Sequence, residues 1–372
     1  MKINIKQFIP HIIAIIVFVG ISISYFTPAI QGYSVFQSDI QQHKGMSKEI
    51  ADHRDEFNEE PLWTNSMFGG MPATQISVKY DSNLLGKLNK IIQLGLPHPV
   101  NYLFLYMLGF YIFLLCMRVN PWLCLVGAIA YGFSSYLFII IDAGHNSKAM
   151  AIAYMAPALG GFLLTFRNKI YLGTAITTLF LSLQINANHP QVSYYLFILL
   201  GFIFVYQSIK FIKEKQLNSF IKRSAFLLLG SLLAISTNIP NLYATYEYSP
   251  YTQRGGTELV LDENADTKEK QGMSKDYALQ WSYGKGETWS FLIPNVKGGA
   301  SAALLANEEI RENSDYSELN EVLNLNYQFY QNRTSPIVSE YFGNQASTSG
   351  PVYIGAVVCL LFVLAMFFWT SN

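Results

Sequence analysis

The sequence predicts an all-α polytopic membrane protein, a bundle of about eight transmembrane helices with two long loops on one side. Three observations carry this expectation. Hydrophobic residues make up 51% of the chain and charged residues only 13%, with a mean hydropathy of +0.22, too apolar for a soluble protein of 372 residues. Continuous apolar runs recur at close to the ~20 residues needed to cross ~30 Å of hydrocarbon, whereas a β-barrel would show short segments of alternating polarity. Basic residues fall on alternate boundaries of those runs: Lys2 and Lys6, Arg118, Arg167 and Lys169, then Lys210, Lys213, Lys215, Lys222 and Arg223. The positive-inside rule assigns these ends to the cytoplasm.

Residues 1–30 hold the first span, Phe8 to Ile30, which lacks a small-x-small cleavage site and reads as an uncleaved anchor with a cytoplasmic N-terminus. Residues 31–99 form a first extracytoplasmic loop. In it Ser38 is placed to cap a helix running towards Phe57, rich in charge with Ile40, Met46 and Ile50 interspersed, as in a helix lying on the membrane. Trp63 and the turn Phe68-Gly69-Gly70-Met71-Pro72 follow, with glycines that permit close backbone approach and aromatics suited to the headgroup level. Residues 100–240 carry the next spans: Val100 to Met117, Pro121 to Ile141, Met150 to Phe166, Ile170 to Ala187, Gln191 to Ile209 and Ser224 to Pro240. Residues 241–349 make a second large outer loop, where Leu304, Leu305, Ile310, Leu319, Val322 and Leu323 predict short amphipathic helices. Residues 350–372 supply a last span, Pro351 to Trp369, of a chain that reads as truncated.

The balance of charge excludes some functions. Net charge is zero, so no nucleic-acid partner is expected. Cys116, Cys124 and Cys359 fall inside spans, where thiols act as packing residues, and redox chemistry is not indicated.

Polar residues on the outer side are the candidates for chemistry. Asp39 is the first carboxylate after the first span, where it can serve as a general base towards a hydroxyl arriving from outside, or stabilise the start of the following helix through its dipole. Asp142, His145 and Lys148 recur at a spacing of three, which on a continuing helix puts them near one face. Lys148 and a protonated His145 suit a phosphate or pyrophosphate through charge-assisted hydrogen bonds; a solvated loop with Lys148 reaching the headgroups is the plainer alternative. Asn186, Asn188, His189, Pro190 and Gln191 form the next outer turn, able to hold sugar hydroxyls or phosphate, or simply to cap a helix through Asn188. Glu247 and Arg254 offer a carboxylate and a guanidinium near the membrane, and Arg254 can bind phosphate bidentately or pair with Glu247 or Glu258. A zinc site from His145, His189 and Asp142 has no diagnostic ligand spacing, so no metal is assigned.

Several strings together resemble the YfhO family of bacterial membrane proteins. They are Ser38-Asp39 with Gln41, Trp63 with Phe68-Gly69-Gly70-Met71-Pro72, Gly144-His145-Asn146-Ser147-Lys148, Asn188-His189-Pro190-Gln191, Thr245-Tyr246-Glu247-Tyr248-Ser249, Arg254-Gly255-Gly256-Thr257-Glu258-Leu259 and Trp281-Ser282-Tyr283-Gly284. The likeness runs along nearly the whole chain, which looks like the N-terminal half of such a protein. The family is similar to the GT-C superfamily of glycosyltransferases, which use polyprenyl-phosphate sugars on the outer face of the cytoplasmic membrane and keep a catalytic acid in the first outer loop.

That resemblance implies a GT-C-like bundle in the inner membrane with periplasmic loops, a polyprenyl-phosphate-linked sugar donor and a glycan or glycolipid acceptor. It implies Asp39 as the catalytic acid. Its implied substrate-binding partners are His145, Lys148, His189 and Arg254 on the phosphate, with Trp63, Gly69 and Gly70 shaping the sugar side. Many GT-C members carry a second acid beside the first; Ile40 and Gln41 stand there here, so no divalent cofactor is expected. A lipid-linked glycan transporter and a non-catalytic envelope assembly factor are the other function classes that this layout allows.

Overall fold

The computed structural model describes residues 5–80, 83–252, 255, 275–303 and 339–369. Every apolar run forms a helix. In chain order the principal helices are α1 (Ile9–Tyr25), α2 (Ser38–Met46), α3 (Lys48–Phe57), α4 (Leu85–Ile92), α5 (Val100–Cys116), α6 (Pro121–Gly132), α7 (Ser135–Asp142), α8 (Asn146–Phe166), α9 (Ile170–Asn186), α10 (Pro190–Lys213), α11 (Leu217–Ser236), α12 (Ile239–Tyr248) and α13 (Ala356–Trp369). Three of them, α8, α10 and α11, are long and apolar enough to cross a membrane alone; α6 and α7 pass that test only together, as a pair bent by 48°. The segments at α1, α5, α9 and α13 are apolar but shorter. The chain is a helical membrane protein whose spans are less uniform than the runs suggest. What reads as one continuous run from Pro121 to Ile141 is broken after Phe133.

The chain divides into two compact units, the first comprising residues 1–133 and 140–252. At its centre lies α8, whose spanning window is 78% buried, against 17% for α10 and 22% for α11, which turn most of their apolar surface outward. Between apolar helices in lipid, association rests on close packing, and small residues let backbones approach. A Cβ on Gly161 would lie 2.6 Å from the Thr177 backbone nitrogen, and one on Gly173 would lie 2.4 Å from that of Thr165, so α8 and α9 meet backbone to backbone. In the same way Gly109 of α5 rests on the Ala153 carbonyl of α8, where an added Cβ would come within 2.2 Å.

Basic side chains gather at one end of this unit and cap helix C-termini. Arg118 donates to the Arg167 carbonyl at 3.0 Å and Arg167 to the Met117 carbonyl at 2.9 Å, satisfying acceptors left over at the ends of α5 and α8. Arg223, expected at the boundary before the span from Ser224, is part of a helix and buried. It lies within α11, only 5% exposed, donating to the Thr165 carbonyl at 2.7 Å and to Asn168, with its guanidinium 5.3 Å from the Phe211 ring centroid. Those partners make burial of its charge tolerable.

The segment between α1 and α5 is folded rather than a loose surface loop. The helix expected from Ser38 to Phe57 is two helices. Ser38 is the first residue of α2 rather than its cap, and the chain breaks at Ser47, whose hydroxyl donates back to the His43 carbonyl at 2.7 Å. Trp63 and Thr64 pair antiparallel with Pro72 and Met71. Glu49 of α3 accepts from the Thr64 hydroxyl and from the backbone amides of Asn65 at 2.9 Å and Ser66 at 3.0 Å, and the Thr64 bond foremost holds its carboxyl below the usual range. Arg54 and Glu60 form a two-pronged pair, and Glu60 also accepts from the Lys79 amide at 3.0 Å.

The second unit comprises residues 134–139 and 253–372. Within it a short antiparallel pair joins Gly298 to Tyr341 and Ala303 to Ser339. Buried Glu287 accepts from the Tyr341 hydroxyl and the Gly284 amide. Ser135 donates to the Tyr353 carbonyl at 3.0 Å and accepts from the Tyr353 amide at 2.7 Å. Residues 298–303 form a strand, and the residues expected to form amphipathic helices, Leu304 to Leu323, lie outside the described residues.

Candidate functional site

The end of the first unit away from Arg118 and Arg167 carries a cavity of about 490 Å3 built where α2, α8 and α10 begin; Asp39, His43, His145, Lys148 and His189 are among the residues that line it. At 1.5 Å rise per residue the 21 residues of α8 set its two ends about 30 Å apart, Arg167 following one and the cavity lying at the other.

Asp39 sits in the first turn of α2, and two residues seat that turn. Gln37, 3% exposed, donates its amide to the Ile141 carbonyl. Its side-chain oxygen accepts from His98 Nε2 at 3.0 Å and from Asn146 Nδ2 at 3.5 Å. Burial holds His98 below its usual pKa, which keeps the ring neutral and fixes its proton on the nitrogen facing Gln37. Gly144 then brings the α7–α8 turn against α2. Its φ is +82°, and a Cβ there would stand 3.1 Å from Gln37 Cβ and 3.4 Å from Asp39 Cβ.

The turn delivers His145 to Asp39, with Nε2 3.0 Å from Oδ2 and both side chains about half exposed. An exposed ion pair contributes roughly 0–1 kcal/mol, so stability does not account for this one. His145 is also the N-cap residue of α8, and its side chain turns to Asp39 rather than capping the helix. Beside it Asn146 Oδ1 is buried with no hydrogen-bond partner. Lys148 adds a cation to the positive end of this long helix, an arrangement that suits an anion.

His189 closes the cavity from α10, where its Nδ1 accepts from the Val192 amide at 3.4 Å. The cap is therefore His189. Asn188, expected as a cap, instead takes the left-handed position that ends α9, at φ +55°. Burial foremost, and then the charge of Lys148, pushes His189 below its usual pKa. With Nδ1 accepting, the neutral ring keeps its proton on Nε2 as a donor.

Other predicted residues lie elsewhere. Asp142 ends α7, exposed, and does not line the cavity, because the turn at Gly144 breaks the helical spacing that would have aligned it with His145 and Lys148. Asn186 and Asn188 line a different cavity of about 420 Å3 together with Asn83, Asn238 and Asn241. Trp63 and Gly70 line a third, of about 570 Å3, with Glu247 and without Asp39; Gly69 lies in the adjoining turn and lines none of these cavities. Arg254 and Glu258 lie outside the described residues. Among the described residues no group of three or more His, Cys, Asp or Glu is placed to hold a metal ion.

Sequence reasoning gave no role to His43 or Gln37. His43 follows Asp39 by four on one helix, a spacing that signals a shared face. Nothing local marks Gln37, whose partners are all distant in sequence. No protein family, curated protein or solved structure matches the chain. The site's chemistry is inferred from its own geometry.

Proposed function

We propose that the chain is a multi-pass glycosyltransferase of the GT-C kind, resembling the YfhO family. In this reading it has eight spans, lies in the bacterial inner membrane with its N-terminus cytoplasmic, and transfers a sugar from a polyprenyl-phosphate carrier to an envelope glycan or glycolipid. One observation carries the reading: a carboxylate held by a histidine shares a cavity with a lysine at the start of a long helix. A base and an anion site side by side are what transfer from a sugar phosphate requires.

Asp39 takes the proton of the acceptor hydroxyl while that oxygen forms its bond to the anomeric carbon. The bond from that carbon to the phosphate oxygen breaks, the anomeric configuration inverts, and polyprenyl phosphate leaves. Its charge is met by Lys148, the positive end of α8 and the Nε2–H of His189. Paired with Asp39, His145 orients the carboxylate that receives the proton, rather than binding the phosphate itself.

Purified chain reconstituted with a polyprenyl-phosphate-sugar pool from source membranes tests this. Release of polyprenyl phosphate should require acceptor-containing extract, be lost in D39N, and fall in K148M. Release by D39N at the wild-type rate would sink the assignment.

A second reading, a transporter or flippase for a lipid-linked glycan, is favoured by the broken pair α6–α7, since discontinuous helices line many transport sites. In that case D39N would retain lipid translocation and show no chemistry to lose.

A further inference from the structure

We infer that the cavity between the Trp63 turn and the end of α12 binds an organic ammonium group. It is distinct from the Asp39 cavity, and the inference does not depend on the proposed transfer. Among the described residues its lining includes Trp63, Gly70, Pro72, Glu247, Tyr248 and Tyr251 and no cationic side chain.

Trp63 is both fixed and open. One face of its indole lies against Gly70, where a Cβ would come within 2.9 Å of Cζ2 and 3.0 Å of Nε1, and Gly70 at φ +125° holds a conformation few other residues adopt. Pairing of Trp63 with Pro72 fixes the backbone, yet the residue remains 57% exposed. On the facing helix and the turn after it, the rings of Tyr248 and Tyr251 sit 6.3 Å apart at 33°. Aromatic faces attract cations through their quadrupole, and several together form the cages that recognise alkylated ammonium groups.

Glu247 adds a carboxylate to these rings and favours an ammonium ligand over an apolar one. It is exposed, lines the cavity beside those rings and, among the described residues, makes no hydrogen bond or ion pair. An acyl chain or a neutral sugar would leave that charge to solvent, whereas an ammonium group pairs with it. A cation answers both the carboxylate and the rings. The ammonium can belong to a lipid headgroup or to an amino sugar.

Tetramethylammonium chloride titrated into the full chain in nonionic detergent, against sodium chloride at equal ionic strength, reads the cavity through Trp63 fluorescence. W63F supplies the background of the remaining tryptophans. The expected result is a saturable change absent in W63F, with a midpoint raised about tenfold in E247Q and raised in Y251A, whose ring is exposed and whose loss leaves the fold intact. Competition by glucosamine in solution supports an amino sugar, and competition by ethanolamine-headgroup nanodiscs supports a lipid. A response that is not saturable, that survives in W63F, that is unchanged in both E247Q and Y251A, or that glucose competes as well as glucosamine does would overturn the inference.

Discussion

His145 Nε2 lies 3.0 Å from Asp39 Oδ2, a contact between residues of different helices that Gly144 makes possible by seating its turn on the start of α2. Because the pair is half exposed, it adds little to stability, so its loss should register in function. D39N is expected to shift the unfolding free energy by less than about 1 kcal/mol while transfer falls by about a hundredfold or more. Measured by transfer rate, D39N, H145N and the double variant should be strongly non-additive, the double being little worse than D39N alone. Losses that simply multiply would mean the two residues act separately.

Gly144 is the hinge of that arrangement. G144A forces a Cβ against Gln37 and a side chain into a left-handed conformation, and is expected to cost about 1–3 kcal/mol in thermal unfolding together with most of the transfer activity. Wild-type activity in G144A would show that the turn does not set the position of His145.

His189 supplies a pH signature. Burial and then Lys148 lower its pKa in the folded chain below the ordinary 6.5, so in that range the unfolded chain binds the proton more tightly. The stability it contributes is complete above about pH 6.5 and declines as the pH falls through that value, levelling off below the folded pKa. By NMR of ring-labelled histidine, K148M should raise the His189 pKa. An unmoved titration would place Lys148 too far away to share a ligand with it.

Arg54 and Glu60 make a separate claim about the segment between α1 and α5. Arg54 holds the Glu60 carboxyl below its usual 4.5, so the pair's contribution is present above that pH and lost as the pH falls through the lower folded value. R54L should cost about 1–3 kcal/mol and remove that part of the acid dependence of melting. Identical acid melting curves for R54L and wild type would show that the pair does not hold the segment.

The helices were legible because an apolar run needs no partner to announce itself, and Asp39, His145, Lys148 and His189 were legible because each stands alone at the polar end of one. The meeting of Asp39 with His145 was not, since it depends on Gln37 joining its own segment to His98 and to the α7–α8 turn through a side chain with no local signature. Asp142 misled because a spacing of three predicts a shared face only while the helix continues, and a positive φ at Gly144 ends it. Trp63 and Gly70 were expected on the sugar side of the Asp39 site, yet the antiparallel pairing with Pro72 and Met71 brings them together around a cavity that Asp39 does not line. The break after Phe133 lay hidden inside one apolar run, where composition does not change.

The most direct test of the central claim compares total envelope glycans in a deletion strain with those in a strain carrying D39N at wild-type membrane abundance. An enzyme whose base is Asp39 predicts the same glycan loss in both. Loss on deletion with intact glycans in D39N would contradict it and leave the cavity a binding site without chemistry.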